Sequence, residues 1–361
     1  MKKASRLRVT VCLLTCFLSL GFIGSSYADD AEVLPKGVWT VSVENKYYLP
    51  IKERFTHSGG VEDVATDYNA DLNSAIFPEL GAIEEGFMLP PGSGSLGNTV
   101  VSLKYKFNIL DNIIAYGITD KLTIGVKIPY RWSRTDVNAK LDASTATLGK
   151  NPYFGTPGDP FGGAPFVPLT YGGIPLTTDD IQNLLGGGLI INGQLAVPGY
   201  GFKRFASWSD SSFEDIQAGL KYQYLKTAEW RLAFTAGVRF PTGKKDDPDN
   251  LVDFASGSGA WGLLFRSHND YTGIKNLVFD ATLRYDHIFP VSQTMRLTDI
   301  HHPLTRNEGV VENQLGDVVE VETSATYEFL KGTSLCLLYK YGHEFKSNVS
   351  GKSLALTAAE V

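Results

Sequence analysis

The 361-residue chain carries 33 Lys and Arg against 39 Asp and Glu, a formal charge of −6, and so offers no general basic face for nucleic acid. Its three cysteines, two of them in an apolar N-terminal stretch, exclude a disulfide-stapled domain and a Cys-rich zinc site. Gly (37), Phe (20), Tyr (17) and Trp (5) are abundant while mean hydropathy is near zero, as happens when lipid-facing and lumen-facing side chains cancel.

Residues 1–28 read as a secretory signal peptide. Lys2, Lys3, Arg6 and Arg8 precede an apolar run from Val9 to Gly24, and Ser26-Tyr27-Ala28 places small residues where a signal peptidase cuts, after Ala28. Cleavage would lower the formal charge from −6 to −10 and leave only Cys336. Residues 29–361 then form one β domain, because no later stretch approaches the 18 or so apolar residues of a spanning helix.

From there the pattern is alternation with a period of two. Trp39, Val41, Val43 and Tyr47 oppose Thr40, Ser42, Glu44 and Lys46. Next, Val101, Leu103, Tyr105, Phe107 and Ile109 alternate with Ser102, Lys104, Lys106 and Asn108. Beyond Asp111-Asn112 the phase slips, which predicts a bulge before Ile114, Tyr116 and Ile118. Leu122 to Ser133 alternates most cleanly, followed by strands over 215–224 and 230–240 and a less regular one around Trp261, Leu263 and Phe265. Phe279 to Asp286, Val319 to Phe329 and Leu335 to Glu344 complete nine, with a weak tenth at 352–360.

Most of these strands run ten or more residues, the length that crosses a bilayer at a tilt. Connections alternate between long (49–98, 138–212, 241–256, 290–316) and short (118–121, 226–229, 267–275, 330–333), as in barrels with extracellular loops and periplasmic turns. Tyr47, Tyr130, Trp132, Phe240, Phe289 and Tyr341 would mark an outer aromatic level, and Tyr116, Tyr224, Trp230 and Phe329 an inner one. Within the longest loop, Thr178 opens a short N-capped helix through Leu185, either plugging the mouth or lying on the loops. The fold class is therefore an all-β, antiparallel, transmembrane up-and-down β-barrel of about 10–12 strands.

Several motifs weigh little. Gly92 to Gly97 and Gly257 to Gly262 both spell GxGxxG, yet each leads into a strand rather than a helix, which removes the dinucleotide context. Asp246, Asp247, Asp249 and Asp253 do not have EF-hand spacing and read as an acidic surface loop, and His301-His302 as a solvated pair. No Ser/His/acid constellation emerges, so no enzyme, cofactor or metal is assigned.

The polar register carries more. Lys104, Lys106, Lys127, Arg131, Lys221, Arg231 and Arg239 fall on the earlier strands, and Asp280, Asp286, Glu320, Glu322 and Glu328 on later ones. As lumen-lining residues they would either form two opposed arcs with a transverse field or fill the lumen with ion pairs.

Tyr116 to Gly125, Ile128-Pro129-Tyr130, Phe240-Pro241-Thr242-Gly243 and the glycines after Phe254 resemble the outer-membrane family named for the meta-pathway of phenol degradation, over most of 98–345. The resemblance implies an outer-membrane barrel for hydrophobic or aromatic compounds and no catalytic residues. One departure is the C-terminus, Thr357-Ala358-Ala359-Glu360-Val361, which lacks the usual terminal aromatic.

The functional expectation is a passive outer-membrane channel or uptake barrel of a Gram-negative bacterium. Its partners would be outer-membrane lipid and lipopolysaccharide, the export and barrel-assembly machinery, and a small-molecule solute. Two alternatives stand: a non-transporting structural or adhesion barrel with a charge-plugged lumen, and a soluble periplasmic lipocalin-like barrel with its apolar face inward.

Overall fold

The computed structural model describes residues 30–56, 58–297 and 304–351; the predicted leader, His301-His302 and the weak strand at 352–360 lie outside them. Ten strands make one antiparallel sheet: β1 (Trp39–Tyr47), β2 (Asn98–Thr119), β3 (Leu122–Asp142), β4 (Trp208–Phe213), β5 (Ile216–Lys226), β6 (Trp230–Phe240), β7 (Gly262–Ile274), β8 (Leu277–Ile288), β9 (Val318–Leu330) and β10 (Thr333–Glu344). The hydrogen-bonded order is β1-β2-β3-β5-β6-β7-β8-β9-β10, with β4 pairing along Tyr130–Thr135 of β3 just above the stretch taken by β5. The sheet curls as a half-barrel, and among the described residues β1 and β10 do not pair with each other. No helix among those residues is long and apolar enough to cross a membrane.

The two ends of the sheet differ. Turns at one end are two or three residues long, and every register irregularity on the main path lies beside one of them. Asn276 (φ 63°) and Gly332 (φ 79°) supply the left-handed residues that two of these turns require. All long connections leave from the other end.

The faces are assigned by register and burial together. Ile124, Leu220, Phe234 and Leu283 point outward and stay more than 40% exposed. Their neighbours of opposite parity, Thr123, Gln223, His268, Asp270 and Thr282, are buried below 9%. A water-soluble sheet would do the reverse. This arrangement overturns the lipocalin-like alternative, whose apolar register would have to face the interior.

Two sequence expectations are corrected. First, β2 has no bulge at Asp111-Asn112: its ladder with β3 runs without slip from Asn98↔Asp142 to Gly117↔Thr123. The phase of the sequence changes because the environment changes. An 11-residue strand at ~3.3 Å per residue and a ~45° tilt rises about 26 Å, matching the ~25 Å apolar band. The 22 residues of β2 rise twice as far. Above the band the outward positions become Arg134, Asp136, Asn138 and Lys140 on β3, while Leu103, Val137 and Ala139 turn inward onto the loops. Second, residues 267–274 are strand rather than turn. Polar side chains on both faces there (Ser267 and Asn269 outside, His268 and Asp270 inside) hide the alternation.

The long loops fold into a cap with its own core. Helix α1 (Glu79–Gly86) contributes Leu80 and Ile83, and helix α2 (Thr178–Leu185) contributes Ile181 and Leu184, around Phe77, Leu96, Leu148 and Phe166. The cap residue of α2 is Thr177, one position earlier than predicted; its hydroxyl accepts from the Asp180 N–H while the Asp180 carboxylate accepts from the Thr177 N–H. Helix α2 thus packs within the cap core.

Candidate functional site

The inward face of the sheet is a polar wall, and three sets of residues occupy it from bottom to top. At the turn end lies the segment 30–37. The Ala31 N–H donates to both carboxylate oxygens of Asp270 (2.9 and 3.0 Å), and its carbonyl accepts from Gln223 Nε2 (2.8 Å). Leu34 N–H donates to Thr123 Oγ1 (2.8 Å) and Lys36 N–H to Asp120 (2.9 Å), while Arg231 pairs with Glu32 and Lys221 holds the Asp30 carbonyl. Gly117 is glycine for a steric reason: a Cβ there would overlap the Pro35 carbonyl oxygen. The Tyr116–Gly125 motif is therefore where the N-terminal segment docks.

The middle level is a set of cross-strand ion pairs. Asp111, 2% exposed, receives Lys46 (2.7 Å) and Lys127 (3.0 Å). Arg239 meets Asp286 at 2.7 Å; Arg284 meets Glu320 at 2.9 Å and Glu322 at 3.5 Å; Lys340 meets Glu320 at 2.8 Å. Each positive side chain finds its acid one or two strands away, so local pairing, and not two opposed arcs, describes these lumen charges. Asp111 is the buried member of this set, and leaving its carboxylate without a cation would cost about 3–5 kcal/mol.

The top level is the loop between β6 and β7. Thr135 Oγ1 donates to the Val252 carbonyl (2.8 Å), and Arg131 donates to the carbonyls of Phe254 (3.1 Å) and Ala255. Phe254 stands edge-on to Tyr105 and Phe107, with ring centroids 4.6 and 5.0 Å away. Asp215 organises the loop by accepting from Gly243 N–H, Ser258 N–H and Ser258 Oγ, each at 3.0 Å. A Cβ on Gly257 would run into Asp215, which explains the first of the glycines after Phe254. Beneath the loop lies a cavity of about 300 Å³ bounded by Lys127, Pro129, Glu214, Gln217, Arg239 and Ser256.

Of the predicted lumen residues, the register places Lys127, Arg131, Lys221, Arg231, Arg239, Asp280, Asp286, Glu320 and Glu322 on the inward face. Lys104 and Lys106 are corrected. They sit opposite Asp136 and Arg134 on the outward face above the apolar band, with Lys106 paired to Asp136 at 2.6 Å. Their alternation was read with the wrong face inward, since the upper half of β2 packs its apolar side on the cap. Glu328 is also displaced from the wall: it lies at the last turn and accepts the Gly332 N–H (2.8 Å).

Sequence reasoning missed Asp111, Asp270, His268 and Arg296. Asp111 reads as a strand break in the sequence, whereas in the ladder it lies opposite Pro129 and shares the inward face with Lys127. Arg296, 7% exposed at its side chain, ties three loops together. It reaches Asp249, Glu308 (3.0 Å) and the carbonyls of Tyr200 (2.7 Å) and Thr305 (2.9 Å), and it lies over the Phe202 ring at 4.1 Å. Nothing local in the sequence marks it. The acidic loop is likewise bound up in contacts, with Asp247 on Lys203 and Asp249 on Arg296.

A family model described as the MetA-pathway of phenol degradation matches residues 168–355, just over half of the chain. No curated protein matches the sequence. Among solved structures, the chain is similar to an outer membrane channel from Pseudomonas putida F1 (12% identity, 90% of this chain and 79% of that one, TM-score 0.43). It is also similar to a mutant of the TodX monoaromatic hydrocarbon channel (13% identity, 69% and 62%, TM-score 0.31) and to the toluene transporter TbuX of Ralstonia pickettii (13% identity, 71% and 64%, TM-score 0.32).

Proposed function

The chain belongs to the family described as the MetA-pathway of phenol degradation, and from that premise we propose that it is an outer-membrane channel passing small hydrophobic or aromatic molecules by passive diffusion. The observation that supports this reading is the inverted sheet, with apolar side chains exposed around the outside and polar ones buried within. Such a wall is stable only with lipid around it and a polar path inside it. The segment 30–37 and the loop between β6 and β7 then act as the inner and outer gates of that path.

The reading includes a Gram-negative outer-membrane location after removal of the leader at Ala28. The partners are outer-membrane lipid and lipopolysaccharide, with export and barrel-assembly factors during biogenesis. No cofactor enters. The paired lumen charges favour a second reading, a sealed structural barrel.

Refolded protein in lipopolysaccharide-containing vesicles separates the two. A channel gives unitary conductance in planar bilayers and faster uptake of an aromatic solute than protein-free vesicles. Sealed bilayers with uptake equal to the protein-free control would remove the channel reading.

A further inference from the structure

The outward face of β2 and β3 changes character above the apolar band. Tyr130, Trp132 and Phe213 mark the upper edge of that band, with the Trp132 and Phe213 ring centroids 4.8 and 5.1 Å from that of Tyr130. One rung higher, Arg134 lies opposite Lys106, and on the rung above that Asp136 lies opposite Lys104. Two residues at ~3.3 Å each and a ~45° tilt rise about 5 Å, so these rungs stand about 5 and 9 Å above Trp132. The head-group layer of a bilayer is roughly 5–8 Å deep on each side. The long side chains on both rungs therefore reach the level where outer-leaflet head groups meet the wall.

Three cations and one acid occupy these two rungs, in a chain whose formal charge is −6. Asp136 clamps two of the cations. One of its oxygens accepts from Arg134 Nε and the other from the Lys106 ammonium, each at 2.6 Å. Both terminal nitrogens of Arg134 and two N–H groups of Lys106 are left over. The Lys104 ammonium makes no ion pair or hydrogen bond among the described residues. Ser209 of β4, directly opposite Arg134, adds a hydroxyl on the same face. The outer end of β8 is different: there Tyr285 and His287 both bond to Asp317, so the wall carries an acid instead.

We propose that Lys104, Lys106 and Arg134 form a binding site for the phosphorylated glucosamine head group of lipopolysaccharide. The outer edge of the Arg134 guanidinium presents two parallel N–H groups that match two oxygens of one phosphate, and the two ammoniums supply point charges beside it. The level of the patch fixes the source of that phosphate. The patch is a flat stretch of wall, and directly below it stands Trp132, 42% exposed, against which the acyl chains of the same molecule would lie. This placement also accounts for three cations facing outward from a membrane wall. The inference rests on the outer-membrane location in the proposed function.

The test is titration of the refolded full chain in detergent with bis-phosphorylated lipid A and with its dephosphorylated form, the complexes being counted by native mass spectrometry. Heat-modifiable migration first confirms that each variant is folded. The phosphorylated form should bind at least about tenfold more tightly. Lys104→Gln, which breaks no contact in the fold, should weaken it about 5-fold, the effect of one basic residue near an anionic lipid surface, and Lys104→Gln with Arg134→Gln about 25-fold. Lys226→Gln, at the turn end of the wall, is the control and should leave both affinities unchanged. Equal affinity for the two forms, an unchanged double variant, or an equal loss in Lys226→Gln overturns the proposal. So does phosphatidylglycerol binding as tightly as lipid A, which would make the patch a surface for any anionic lipid. A chain that inserts and conducts without phosphate-dependent binding overturns this inference and leaves the channel reading standing. Selective binding with sealed bilayers supports the site and overturns the channel reading alone.

Discussion

Asp253 lies in the outer-gate loop, with Oδ1 buried and without a hydrogen-bond partner. Burial, and then the nearby charge of Asp246, pushes its carboxyl up to about 6. A carboxyl whose folded value is raised above its ordinary 3.8 contributes stability that is complete below 3.8 and lost as pH rises through about 6. The outer gate should therefore be held more tightly at pH 4 than at pH 7.5. Hydrogen exchange of residues 244–256, corrected for intrinsic rates, measures this directly. Asp253→Asn should flatten the dependence between those pH values; an undiminished dependence in that variant would assign it to another group. Asp247 behaves oppositely: the Lys203 ammonium holds its carboxyl below the usual carboxylate range.

Among elements, the segment 30–37 is the one whose position follows least from its own sequence. It has no regular structure and is held by its backbone groups, which Asp270, Gln223, Thr123 and Asp120 satisfy. Because backbone groups make the contacts, the receiving wall carries the specificity, and Gly117 is the critical position on that wall. Gly117→Val should expel the segment without disturbing the β2–β3 ladder, where a valine is well tolerated. The expected readouts are a several-fold rise in single-channel conductance and rapid thiol labelling of an Ala31→Cys reporter from the turn side. Unchanged labelling would show that the segment is not displaced, and unchanged conductance despite labelling would place the narrowest point at the outer gate. Strands β2 and β3 make the complementary case. Their sequences carry two patterns in series, one for lipid and one for the cap, and a single strand bridges both environments without a register change.

At the scale of the whole molecule, the sheet has its stabilising ladder inside and its apolar surface outside, so detergent or lipid must surround it. Refolded protein should migrate differently in SDS before and after boiling, and detergent-free solubility as a monomer would contradict that reading. Much of this was legible in the chain. Most strand positions, the alternation of long and short connections, and aromatics at both levels (Trp230 at the turn end, Tyr130 and Trp132 at the other) follow from residue order alone. They are legible because a period of two and a turn are local properties, set by the backbone within a few residues. What period two cannot state is which face is which. The same alternation serves lipid below Tyr130 and a protein core above it, and for that reason Lys104 and Lys106 were assigned to the lumen while Asp111 was passed over. Pairing across strands decided the rest: that most lumen charges meet their opposites one or two strands away, that Arg296 gathers three loops, and that Lys127, Gln217 and Arg239 stand in one row. These are contacts between residues roughly 10 to 100 positions apart, and only the folded sheet sets their separation in space.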